Sequence, residues 1–368
     1  MMGMNLSPAW IENYLLNEGE AKMNSPIQTE IDYEKDGKQT GFLWVPHSRN
    51  SSAWGKVLLP IIVIKNGSGP TALLVAGSHG GEYEGPVCLT KLAQAVQANQ
   101  VNGRIILLPA LNLPAVLAGR RLSPIDNLDM NRSFPGRPTG TVTQLIAHYL
   151  HEEILPLCDA VLDLHAGGES LDLYPYISMH YLADPQQMAA TRAALEAFQA
   201  PIGLIMKEFT GEGLLDYAVE RMGKLFLCAE IGGNGRLTPH TLHLTEVGTR
   251  NFLKHLNILE GEISTCLDRN LPPMRLMETP GTENYHYVTV NGIYESFFDL
   301  GTSIENGQSI GQVHFVQHPG REAQTVQAKC SGKLIGTRGP GYVAAGDCVA
   351  LIAQDFVEHY TTRWQTGK

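Results

Sequence analysis

Three short polar clusters, each at the end of an apolar run, hold the residues of this 368-residue chain best suited to chemistry. The first is His79-Gly80-Gly81-Glu82 after TALLVAGS, the second is Asp163-Leu164-His165 inside AVLDLHAGG, and the third is Glu230 after KLFLCA. Two imidazoles and a carboxylate are a common protein donor set for catalytic zinc, with one position left for water. His79, Glu82 and His165 supply such a set. Two glycines between His79 and Glu82 permit a tight turn that aims both side chains at one point. Asp163 and His165 are two apart, so on a strand they face the same side. Asp163 can then accept the N–H of a metal-holding imidazole and fix its tautomer, with either His165 or His79 as that partner.

A single H-x-x-E is common by chance, but two such clusters after two strands of one sheet are far less so. Two other histidine pairs compete. His148 and His151 lie in TVTQLIAHYLHEEIL, which reads as an ordinary amphipathic helix with a solvated end. His240 and His243 lie in TPHTLHL, which reads as a loop and leaves them as open to solvent as to a metal.

The elements that must position these groups follow a repeating pattern. From residue 71 apolar runs at 71–77, 104–110, 160–168 and 224–233 alternate with helix-like stretches at 85–98, 141–155 and 185–199. Fully apolar strands alternating with helices predict an α/β fold, a mixed sheet flanked by helices on both faces. Ligands in such sheets bind beyond the carboxyl ends of the strands, where all three clusters stand. Ahead of this unit, Ser7 and Pro8 predict a capped helix over 7–16, and strands are expected at 27–33, 40–45 and 57–64. Pro60 marks the last of these as an edge strand or a bend.

Residues 1–267 are therefore expected to form the α/β domain, with 1–60 a partly β extension, and the proline-rich 268–280 a linker. Residues 281–368 are glycine-rich with short strands. Two loosely similar stretches, GIYESFFDLGTSIENGQSIGQV and GKLIGTRGPGYVAAGDCVALI, predict a small all-β domain of two pseudo-repeats. It resembles the barrel-sandwich hybrid fold of biotinyl and lipoyl domains. The modified lysine of those carriers is missing between the halves, so a carrier role is not expected.

Composition excludes several classes. The chain has 43% hydrophobic and 17% charged residues, enough for ample cores and too apolar for a disordered chain. A net charge of -10 without any cluster of Lys and Arg argues against nucleic acid as a partner. Six scattered cysteines fit a reducing compartment, and no apolar run approaches the roughly 20 residues of a membrane span. No secretory leader is legible, so a cytoplasmic protein is expected. A homo-oligomer is compatible with all of this.

Five motifs in order, GSHGGEYEGP, VNGRIILLPALNLPAV, RRLSPIDNLDMNRSFPG, AVLDLHAGG and AEIGG, resemble those of the succinylglutamate desuccinylase and aspartoacylase family, relatives of zinc carboxypeptidases. The resemblance covers roughly residues 60 to 260 and lies nearest to the bacterial branch with an appended β domain, which includes N-acetyl-diaminobutyrate deacetylases. It implies a zinc carboxypeptidase-like fold, one zinc per chain on His79, Glu82 and His165, and Glu230 as the catalytic carboxylate. It also implies that Arg121, Asn131 and Arg132 meet the substrate, for which the planar guanidinium is suited. Gly81 stands where relatives often carry Asp or Asn, and the further arginine with which aspartoacylase grips its dicarboxylate has no evident counterpart.

The activity expected is hydrolysis of the amide of a small N-acyl amino acid by metal-activated water, with Glu230 as general base. A metallocarboxypeptidase acting on short peptides is one alternative, and a metal-binding or ligand-binding module without catalysis is another. An appended domain over the cleft favours small substrates over peptides. A general base beside an open metal position favours an enzyme over a binder.

Overall fold

The computed structural model describes residues 25–207 and 211–358, so the helix expected at 7–16 lies outside the described residues. The amino-terminal part opens with β1 (Gln28–Thr29), β2 (Gly37–Pro46) and β3 (Lys56–Asn66), an antiparallel set. Pro60 sits in the half of β3 that pairs with β2 alone, because β5 joins β3 only from Ile62 onward. That half is an edge, where a missing N–H is tolerated.

The alternating unit follows as β4 (Thr71–Ala76), α1 (Glu84–Ala95), β5 (Gly103–Leu108), α2 (Leu113–Ala118), α3 (Val142–Tyr149) and β6 (Ala160–His165). Then come β7 (Leu171–His180), α4 (Pro185–Phe198), β8 (Ile202–Met206), α5 (Leu215–Glu220), β9 (Leu225–Gly233) and α6 (Pro239–His255). Strands β5, β4, β6 and β9 run parallel, and the sheet continues through β7 and β8.

Period-two alternation sorts the strand side chains onto two cores. Leu74, Leu162 and Leu227 face a layer built from α1, α4 and α6, while Leu73, Val161 and Phe226 face α3 and α5. Burying each such side chain contributes roughly 1.5–3 kcal/mol. The same alternation turns Asp163, His165, Cys228 and Glu230 toward the second face, so the packing that fixes the strands also fixes the polar groups at their ends.

Two expectations need correction. His240 and His243 do not lie in a loop: they are exposed residues of α6, whose start is set by Thr238, which accepts from the Thr241 N–H, and by Pro239 in the first turn. The stretch 268–280, expected as a linker, contains β10 (Arg275–Thr279). Leu276 and Met277 give this strand an apolar register that pairs it in parallel with β8.

Beyond β10 the described residues form β11 (Tyr285–Tyr287), β12 (Gly292–Ser296), β13 (Ser303–Ile304), β14 (Ser309–His314) and β15 (Gln324–Gln327). β16 (Gly332–Arg338), β17 (Tyr342–Val343) and β18 (Cys348–Asp355) complete the set. The pseudo-repeats appear as β12-β13-β14 and β16-β17-β18, and their short middle strands exchange partners: β13 pairs with β16 and β17 with β12. β18 joins β10, and β16 returns to β7, so that β7, β8, β10, β18 and β16 close into a ring of five strands. Leu173, Tyr176, Leu204, Met277, Ile335 and Leu351 fill it. The carboxy-terminal β region is thereby joined to the rim of the main sheet by shared backbone pairing.

Candidate active site

The polar clusters meet at the carboxyl ends of β4, β6 and β9. His79 and Glu82 follow β4 in the turn that leads into α1, and His165 is the last residue of β6. The turn depends on Gly80 for space, since neither glycine of the pair has a positive φ. A Cβ at Gly80 would stand 1.8 Å from the Ala115 carbonyl oxygen, whereas one at Gly81 would meet nothing nearer than 3.7 Å. This explains why a side chain is compatible with the second position and not with the first.

Glu82 joins the two imidazoles: His79 Nδ1 lies 2.7 Å from Oε1 and His165 Nδ1 lies 2.8 Å from Oε2. One donor atom from each residue falls within 4.8 Å of the others, and this is the one such group of three among the described residues. All three side chains are buried. The outward nitrogens are held as well. His165 Nε2 lies 2.8 Å from Asp163 Oδ2, which settles Asp163 as the partner of His165. His79 Nε2 lies 3.1 Å from Oδ1 of Asp129, a residue the sequence reading passed over. Its signal was present in the DMNR run, where an acid caps the short turn bearing Asn131 and Arg132.

The donor set therefore fits a zinc ion: two neutral-capable imidazoles, one carboxylate, and a carboxylate behind each imidazole to fix its orientation. Electrostatics agree with a cation at the centre. Burial works against the charge on Glu82, yet the flanking His165 and His79 draw its carboxyl down to about 2. Burial likewise disfavours charge on His79, but Glu82 and Asp129 raise its pKa overall. Two carboxylates beside each imidazole, Glu82 with Asp129 at His79 and Glu82 with Asp163 at His165, thus favour positive charge at this centre, the sign a divalent ion would supply.

Glu230 pairs with His165 across β6 and β9 and with Tyr176 across β9 and β7, so ligand candidate, acid and phenol form a row on one face of three neighbouring strands. Its Oε2 is buried and has no hydrogen-bond partner. Burial pushes its carboxyl up to about 7, against the pull of His165. A carboxylate aimed into a cavity without a partner, poised near neutrality, is equipped to take and return a proton.

Arg121, Asn131 and Arg132 reach the same cavity from the loop between α2 and α3. Arg121 is tied to Asp129 by Nε at 3.1 Å and Nη2 at 3.0 Å, which places it beside His79. Asn131 Oδ1 accepts from the Leu215 N–H at 2.9 Å, locking this loop to the start of α5. Arg132 is exposed, and its Nη1 donates to the Asn131 carbonyl at 2.6 Å. His148, His151, His240 and His243 are not brought to this cavity.

The cavity has a volume of about 320 Å³. Besides the groups above it is walled by Leu173, Tyr176 and Met206 from the main sheet and by Tyr285, Gly336 and Leu351 from the carboxy-terminal region. The latter were invisible to the sequence reading because their place at the site depends on the ring closure of β16 onto β7.

Comparison with known proteins gives these groups a context. Residues 68–256, which include His79, Glu82, Arg121, Asp129, Asn131, Arg132, Asp163, His165 and Glu230, match the succinylglutamate desuccinylase/aspartoacylase catalytic domain. The chain is 42% identical over 330 residues, 90% of its length and 95% of the relative's, to the N-alpha-acetyl-L-2,4-diaminobutyric acid deacetylase of Halomonas elongata. Among solved structures, the product-bound ectoine utilization protein EutE (DoeB) from Ruegeria pomeroyi is similar with a TM-score of 0.86 at 41% identity, covering 90% of this chain and 99% of that one. A succinylglutamate desuccinylase/aspartoacylase from Rhodobacter sphaeroides gives 0.87 at 39% identity, over 91% of this chain and 100% of the other. With the ordered motifs, the site and these matches in agreement, the chain belongs to the succinylglutamate desuccinylase/aspartoacylase family.

Proposed function

We propose that the protein is a zinc-dependent deacylase that hydrolyses the amide bond of small N-acyl amino acids. His79, Glu82 and His165 hold one zinc per chain, and Glu230 is the general base. The observation that carries this reading is the register of Glu230 beside His165, with its free oxygen in the cavity next to three convergent donors. The family and its deacetylase relative support the reaction class.

A zinc ion so held supplies Lewis acidity, polarising the acyl carbonyl and making water acidic near neutral pH. The chain does the rest. Glu230 accepts the proton of the attacking water and delivers it to the departing amine nitrogen. Arg121, held by Asp129, stabilises the developing negative charge on the acyl oxygen. Arg132 and Asn131 bind the amino acid carboxylate. Asp163 and Asp129 keep the two imidazoles in orientation. In this reading the carboxy-terminal region, through Tyr285, Gly336 and Leu351, walls the site rather than carries a group, and a cavity of about 320 Å³ supports a small substrate over a peptide.

The test is turnover of a panel of N-acetyl, N-succinyl and N-formyl amino acids, with short peptides beside them, by the zinc-loaded protein. Release of free amine from N-acyl amino acids is expected. Cleavage of peptides alone would favour a carboxypeptidase, and zinc binding without turnover would favour a non-catalytic module.

A further inference from the structure

In the row His165, Glu230, Tyr176, the phenol alone has no task in the mechanism. Register places Tyr176 directly opposite Glu230, on the side of that carboxylate away from His165. Its side chain is 5% exposed, packs with Leu173 and Leu351 inside the five-strand ring, and lines the cavity. Among the described residues its hydroxyl makes no hydrogen bond. A buried phenol ordinarily finds a partner. Ser178, the next residue along the same face of β7, gives its own hydroxyl to the Cys228 carbonyl at 3.0 Å. Burial raises the Tyr176 pKa well above its ordinary value and the neighbouring Glu230 adds to the rise, so the phenol stays neutral.

The shape of an amide says which substrate group arrives beside it. A secondary amide is planar and trans, so its N–H points opposite to its C=O. In the proposed reaction the carbonyl oxygen is turned toward the three convergent donors and Arg121, which turns the N–H away from them. Glu230 takes a proton from the attacking water and returns it to the nitrogen, so the nitrogen lies within its reach. The hydrogen that the nitrogen already carries is then directed past Glu230, to the side where Tyr176 stands. We propose that the Tyr176 hydroxyl oxygen accepts a hydrogen bond from the amide N–H of the substrate and, as the nitrogen becomes tetrahedral, orients its lone pair toward Glu230. The phenol neither gains nor loses a proton; the one that reaches the departing amine is the one Glu230 took from water. An amide N–H carried into this cavity without an acceptor would be a buried, unpaired donor. The contact therefore favours N-acyl compounds over their O-acyl counterparts. This rests on the deacylase reading above and adds one group to its machinery.

The experiment compares kcat/KM of the zinc-loaded wild type and Tyr176→Phe on the fastest N-acyl amino acid of the panel, N-acetyl-2-aminobutyrate among them, and on its O-acyl counterpart, in which oxygen replaces N–H. Phe keeps the ring that packs with Leu173 and Leu351. The variant is expected to lose at least about 10-fold on the amide and less than roughly threefold on the ester, with zinc content unaltered. Equal losses on both substrates, as a structural role or a role at the acyl oxygen would give, overturn the proposal, and so does an unchanged amide rate. Should the variant fail to fold, binding decides: zinc-loaded Glu230→Gln must hold the amide at least about fivefold tighter than the ester by calorimetry, and equal affinity refutes the contact. A wild type that turns over no N-acyl amino acid is a separate result: it removes the deacylase reading itself, and the role of Tyr176 with it.

Discussion

The strand ends and the arginine loop supply one cavity, yet they are built differently. His165 and Glu82 have side chains only 4% and 6% exposed; His165 is held by the carboxylates of Asp163 and Glu82, and Glu82 by the imidazoles of His79 and His165. Arg121, from the loop, is 50% exposed. The strand groups are preorganised by a core that folding must form in any case, so they suit chemistry that tolerates little displacement. The loop groups are held instead by a few polar contacts through Asp129 and Asn131. In the proposed reaction the difference divides the labour: the strand-end groups fix where the bond breaks, and the loop binds the rest of the substrate.

Breaking the strand side should have the largest effect. A His79→Ala, His165→Ala double variant is expected to lose stoichiometric zinc and all measurable turnover, read by elemental analysis of the purified protein; full metal occupancy would remove both residues from the ligand set. The loop side should yield more gently. Arg132→Ala is expected to raise KM for N-acyl amino acids roughly 10- to 100-fold with zinc retained, the range for losing a hydrogen bond to a charged group. If kcat falls instead and KM holds, Arg132 acts in the transition state and the division is drawn in the wrong place. The smallest effect sharpens the account of the turn itself. Gly80→Ala should destabilise by about 1–3 kcal/mol because of the Ala115 carbonyl, while Gly81→Ala should stay within about 0.5 kcal/mol, compared by denaturant unfolding. Equal losses would refute the close-approach argument.

The strand side was also the legible side. Apolar runs ending in His79, His165 and Glu230 announce both the parallel sheet and the position of its chemistry, because strand period and the carboxyl-end rule act locally. Asp129 escaped notice because its role depends on a loop with no period. Strands β7 and β8 escaped because β7 carries Pro175 at a register shift and is completed by pairing with β16, more than 150 residues away. α6 was missed although Thr238 and Pro239 announce it; the two histidines in its first turns drew the reading toward a polar loop. The carboxy-terminal pseudo-repeats were legible as repeats, while their closure onto the main sheet, which makes them part of the cavity wall, was not.

Glu230 is where the account can be tested most directly, since it separates a metal site from a catalyst. Glu230→Gln preserves the shape of the side chain and removes the base. The account predicts stoichiometric zinc by elemental analysis together with a fall in turnover of about 10²- to 10⁴-fold on whichever N-acyl amino acid the wild type hydrolyses. Turnover close to that of the wild type would show that Glu230 is not the base, and loss of zinc would show that it is a ligand and that Glu82 or His165 is misassigned.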